Sequence, residues 1–142
     1  MSGDCFEHVW NRVESDCMDK LKEYIDSGLM DFGFTNIHDH KYMLHNCFEG
    51  YYKIAESNIW MKRLDWFLGC DDGEETFQKR LADELHELAI TRRDDRRCFD
   101  CSKMGKDGCE LNKSSSEKIT LTDKICSDFF PVIWTNYVIH GG

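Results

Sequence analysis

Apolar side chains near the start of the chain recur at three- and four-residue steps: Phe6, Val9, Trp10, Val13, Cys17, Met18, Leu21 and Ile25. Glu14, Asp16, Asp19, Lys22 and Glu23 fill the intervening positions. That period predicts an amphipathic helix over 4–27, capped by Asp4 and ended by Gly28. Residues 29–37 are a short apolar bridge in which Gly33, between Phe32 and Phe34, interrupts any helix and predicts a packed turn or a short strand. From Asp39 to Leu68 the helical period returns in two stripes. Tyr42, Met43, Cys47, Phe48, Tyr51, Ile54 and Ala55 form the first; Ile59, Trp60, Leu64, Phe67 and Leu68 form the second. Ser57 can cap a new turn between them, so two helices are expected rather than one.

The Gly69–Gly73 stretch reads as a turn, and 74–91 as a further helix burying Phe77, Leu81, Leu85, Leu88 and Ala89. Glu74 and Glu75 stand at its positive end and Arg92 and Arg93 at its negative end, which complements the helix dipole. Beyond Arg97 the composition changes. Gly105, Gly108, Asn112 and Ser114–Ser116 predict a loop over 98–118. Thr122 can cap a short helix reaching Phe130, and the residues after Pro131 suit a helix and a strand equally. The fold class expected is therefore mainly α, a small bundle of four to five helices with a Cys-containing loop and room for a short two-stranded element. It is organised as a helical body over 1–97, with the Cys-containing loop and C-terminal helix or strand of 98–142 packed on that body as part of one domain.

Composition narrows the class of protein. The chain has 142 residues, 41% of them hydrophobic, which is enough for a core without covalent staples. Its formal charge of −9 comes from the first two-thirds, where 19 acidic residues face 9 basic ones up to Thr91, against 8 and 9 afterwards. An acidic body repels phosphate backbones, so nucleic acid is not the expected partner. The one local exception is Arg92, Arg93, Arg96 and Arg97, a docking patch for an acidic partner, although Asp94 and Asp95 sit inside it. Asp4 and Glu7 stand where a signal peptide would carry basic residues, and no apolar stretch is long enough to span a bilayer. Both features predict a cytoplasmic protein with no membrane partner.

The eight cysteines contain one spacing with chemistry in it. Cys98 and Cys101 form a C-x2-C pair, Cys109 follows, and Cys126 comes sixteen intervening residues later. Such a pair brings two thiolates to one side, as tetrahedral zinc requires, and a long loop needs something to organise it. Cys98, Cys101, Cys109 and Cys126 are the expected zinc ligands. A disulfide, a redox pair and unrelated thiols are the competing readings. His38, His40, His45 and Glu49, with Asp83 and His86, offer a second, weaker metal geometry lacking a known motif. No nucleophile elbow, phosphate loop or dinucleotide turn occurs. The helix around Trp60, Arg63 and Trp66 carries large side chains on more than one face and predicts a protein contact or homodimer surface. The expected function is a non-enzymatic interaction or adaptor protein with a zinc-stabilised loop, a role that would also suit a viral host-interaction factor. The alternatives are a small metal-dependent or thiol redox enzyme and a zinc-assisted nucleic-acid-binding protein.

Overall fold

The computed structural model describes residue 6, residues 8–105, 108–110, 120–126 and 129–135, and residue 137. The expected Asp4 cap, Cys5 and the 111–119 part of the loop lie outside the described residues. The protein is mainly α-helical, as the periodicity predicts. Helices α1 (Val9–Arg12) and α2 (Asp19–Asp26) are joined without a break by a π-helical Val13–Met18. Helix α3 spans Ile37–Leu68 and α4 spans Glu74–Asp94. Strands β1 (Met104–Gly105) and β2 (Gly108–Cys109) pair antiparallel, with Met104 opposite Cys109. Among the described residues there are thus three long helical runs, not the four to five helices expected.

Local chemistry explains the differences. In the π segment the wider turn separates the half-buried Val13 and Met18 by five residues, and Cys17 is turned to solvent. Ser15 Oγ bonds back to the Asn11 carbonyl at 3.2 Å within this segment, a local contact that bends helices. Gly28, with φ of 70°, ends α2 as the pattern predicts. The Leu29 amide donates to the Tyr24 carbonyl and the Gly28 amide to the Ile25 carbonyl, the paired bonds of a Schellman cap. Helix α3 starts on an unexpected cap: Asn36 Oδ1 accepts from the His38 amide at 2.8 Å. It then runs without interruption through Ser57, where a break was expected. The adjacent Asn58 side chain does not compete with its own backbone; its Nδ2 donates to the Trp10 carbonyl at 2.9 Å instead.

The close of α3 holds a strained residue. The Asp71 amide donates to Trp66 and the Cys70 amide to Phe67, so the left-handed position falls on Cys70, φ 65°, and not on the neighbouring Gly69. An L-residue with a Cβ costs about 1 kcal/mol there relative to glycine. Because Cys70 is exposed, Cys70→Gly should raise the unfolding free energy by about 1 kcal/mol. Urea denaturation measures this as a higher midpoint at unchanged slope.

The chain divides into two compact units, each built from two stretches of sequence. One comprises Met1–Lys22 with Glu49–Asp94. Its buried positions include Tyr52, Ala55 and Leu81, and Phe67 packs on Phe77 at 5.2 Å between ring centres. Asp65 is fully buried there, accepting from Trp10 Nε1 at 2.9 Å and the Phe6 amide at 3.1 Å. A buried carboxylate persists only with such donors. The other unit comprises Glu23–Phe48 with Asp95–Gly142. Ile25, Leu29, Leu44 and Phe48 from its first stretch and Phe99, Cys101 and Met104 from its second are buried. Phe48 and Phe99 meet edge to face at 5.7 Å.

The described residues of the Cys-containing segment hold more regular structure than its composition predicts. Cys98–Asp100 form a 3-10 turn, followed by the β1–β2 hairpin. The described residues between Thr120 and Phe130 are not helical, contrary to expectation. They form a turn, closed by the Asp123 amide on the Thr120 carbonyl at 3.2 Å, and then a single bridge from Lys124 to Arg97; the Cys98 amide donates to the Asp123 carbonyl at 2.8 Å, Phe99 to Leu121 at 2.9 Å and Ile125 to Arg96 at 3.2 Å. Pro131 does not open a strand; it makes a single bridge opposite Cys101. The two-stranded element therefore lies inside the cysteine segment. The 30–37 bridge holds a 3-10 turn, Met30–Phe32, and no strand.

Candidate metal centre

Cys98, Cys101, Cys109 and Cys126 reach one place by different local devices. The 3-10 turn ends with the Cys101 amide donating to the Cys98 carbonyl at 3.0 Å, which folds the C-x2-C pair back on itself. Gly108, φ 98°, returns the hairpin so that Cys109 stands opposite Met104. Cys126 follows Lys124, which is bridged to Arg97. These four thiols line one cavity of about 300 Å³, together with Met104, Asp123, Lys124, Ile125 and Phe129. Cys98 and Cys101 are buried, Cys109 is half-buried and Cys126 is exposed, so the cavity opens on the Cys126 side. All four are free thiols. No three His, Cys, Asp or Glu side chains among the described residues are gathered closely enough to hold a metal ion as they stand. The thiols share a cavity rather than a common point.

Electrostatics at this cavity favour a protonated Cys98. Burial, the Asp123 charge and the thiols of Cys101, Cys109 and Cys126 push it up to about 11. A free thiol held in that form is a poor nucleophile. Behind the cavity sits Lys41, a residue that sequence reasoning missed. It is 2% exposed, and its Nζ donates to the carbonyls of Cys101 and Met104, each at 2.7 Å. Desolvation lowers its pKa, against the raising influence of Cys101, Asp100 and Cys98. A hint was present in the sequence: Lys41 falls next to the apolar stripe that begins at Tyr42.

Asp100, inside the C-x2-C pair, is held in turn. Its Oδ1 accepts from His45 Nδ1 at 2.7 Å and from Trp134 Nε1 at 3.2 Å. The Val132 amide donates to its carbonyl at 2.9 Å. Tyr137 donates to Asp39 Oδ1 at 2.7 Å, and desolvation with that hydrogen bond raises its phenol to about 12. The histidines are thus dispersed. His45 serves Asp100, His40 Nε2 meets the Gly28 carbonyl at 2.6 Å, and His38 and His86 are exposed.

No family model matches the chain, no similar curated protein is found, and no solved structure resembles it.

The other expected site residues separate by burial. Trp60 is 42% exposed. Trp66 is half-buried, edge-on to Trp10 at 6.1 Å and stacked by Arg63 at 4.4 Å. Arg63 is itself 2% exposed and ion-paired inside its unit with Glu84 at 3.1 Å and Asp72 at 3.4 Å, which takes it out of any contact surface. Of the arginine run, Arg92 pairs with Glu49 and Arg93 with Asp94. Arg97 is buried against Asp26 at 2.9 Å and Asp95 at 3.0 Å, and Arg96 lies over the Phe129 ring at 5.5 Å. The charges of Arg92, Arg93 and Arg97 are matched by local carboxylates, which weakens the run as an anion-docking patch. No helix among the described residues is long and apolar enough to cross a membrane.

Proposed function

We propose that the chain is a non-enzymatic interaction protein of the cytoplasm whose cysteine segment is stabilised by one zinc ion, held by Cys98, Cys101, Cys109 and Cys126. The observation that carries this reading is that four cysteines separated in sequence line one cavity. Four thiols around a small space, two of them buried, suit a closed structural site with no open coordination position for substrate. The raised pKa of Cys98 argues against the thiol redox alternative. The matched charges of Arg92, Arg93 and Arg97 argue against the nucleic-acid alternative. The partner is another protein, met through the exposed Trp60 on α3, and a second copy of the chain is the first partner to test.

Native mass spectrometry of protein purified without chelator tests both parts. The expected spectrum carries the mass of one zinc, lost after chelation, and a dimer population that falls in Trp60→Ala. Apo protein from zinc-replete cells, or zinc retained when Cys98 and Cys101 are both changed to serine, would overturn the metal assignment. An unchanged distribution of oligomers in Trp60→Ala would remove the homodimer.

A further inference from the structure

We infer that Lys41 is the positioning residue of the four-thiolate site, clamping two ligand-bearing pieces of backbone together and supplying the counter-charge that the bound metal requires. This rests on the zinc reading above. Lys41 lies near the start of α3, and its ammonium is almost wholly buried. Burying an ammonium costs several kcal/mol unless its surroundings compensate, so a lysine at such a place needs a specific reason. The two carbonyls it binds supply the first part of one. Cys101 closes the C-x2-C turn, and Met104 begins the strand that faces Cys109. A single side chain thereby sets the spacing between the Cys98–Cys101 pair and the hairpin that brings the third thiol.

Charge supplies the second part. A divalent ion held by four thiolates is a dianion, and its field is strong where water is excluded. The Lys41 ammonium is hydrogen-bonded at 2.7 Å to the carbonyl of Cys101, a ligand of the proposed site, and the adjacent Asp100 adds a carboxylate to the same turn. The Asp100 carboxylate already accepts from His45 and Trp134. The ammonium is therefore placed to offset the charge of the metal site itself. Partners in this outer position orient ligands and typically govern about 10–100-fold in metal affinity.

The test compares the full-length protein with Lys41→Met and Lys41→Arg, using zinc alone against a competing chelator. Lys41→Met should bind zinc about 10–100-fold more weakly, and Lys41→Arg, which keeps the charge and the donors, should recover most of that loss. With cobalt(II) in place of zinc, Lys41→Met should shift the thiolate-to-cobalt charge-transfer band and distort the tetrahedral ligand-field pattern. A merely structural lysine would leave that spectrum alone in folded protein. Wild-type protein that binds no zinc overturns the parent reading. Wild-type protein that binds zinc while Lys41→Met binds it equally well overturns only the role of Lys41. Should Lys41→Met fail to fold, the wild-type protein decides. The Lys41 ammonium should give a solvent-protected nitrogen–proton resonance that moves when cadmium replaces zinc, and a resonance indifferent to the metal would sink the inference.

Discussion

If zinc is bound as proposed, removing it, or changing both Cys98 and Cys101 to serine, is expected to loosen the unit formed by Glu23–Phe48 and Asp95–Gly142. Metal binding couples to folding because four separated thiols have no reason to share a cavity in an unfolded chain. In small zinc folds that coupling amounts to roughly 10–16 kcal/mol. Here Leu44, Phe48 and Phe99 supply an apolar core of their own, so the loss should be smaller and leave the helical signal mostly intact. Two indoles read the outcome independently. Trp134 Nε1 donates to Asp100, within the cysteine turn, whereas Trp10 Nε1 donates to Asp65 in the other unit. On chelation the Trp134 indole resonance should broaden or move to its unfolded position while that of Trp10 persists. Equal persistence of both would mean that the metal contributes little to order.

Phe99→Ala should be the most damaging single truncation in the same unit. The ring has no solvent exposure, contacts Phe48 edge to face, and lies between the two cysteines of the pair. Losing a buried aromatic removes its transfer free energy and leaves a cavity, together about 3–5 kcal/mol. For a domain whose total stability is of order 5–15 kcal/mol, that is a large share. The control is Phe130→Ala, a half-exposed ring whose known contact is Lys103 over its face at 5.0 Å. It should cost less than about 1 kcal/mol. Urea denaturation of the two variants measures the difference, and equal losses would show that burial at Phe99 has been overvalued.

Residue patterns were most informative where structure is local. The helices expected over 4–27 and 74–91, which the structure places at 9–26 and 74–94, the end of α2 at Gly28 and the acidic-to-basic polarity of α4 were all readable from residues a few positions apart. Long-range partners account for what the pattern missed. A break was expected at Ser57 because serine can cap a new turn; the helix continues instead, and the adjacent Asn58 side chain bonds a carbonyl 48 positions away. Arg63 and Trp66 looked like surface residues because Asp72, Glu84 and Trp10 are not visible from their helix. Cys17 left its stripe because a π-helical turn changes the period locally, which a fixed template cannot anticipate.

The cysteine segment divides the same way. Its chemistry was written in the order of residues: four cysteines, a C-x2-C pair, and glycines able to turn the chain between them. Only the tertiary structure decided that all four thiols line one cavity, that the backbone of 121–125 bonds to that of 96–99, and that Lys41 binds the carbonyls of Cys101 and Met104. The physical reason is that spacing along a chain limits which thiols can approach one another. Whether they do is set by burial of Phe48 against Phe99 and by the hydrogen bonds of Lys41 to carbonyls 60 and 63 positions further along the chain.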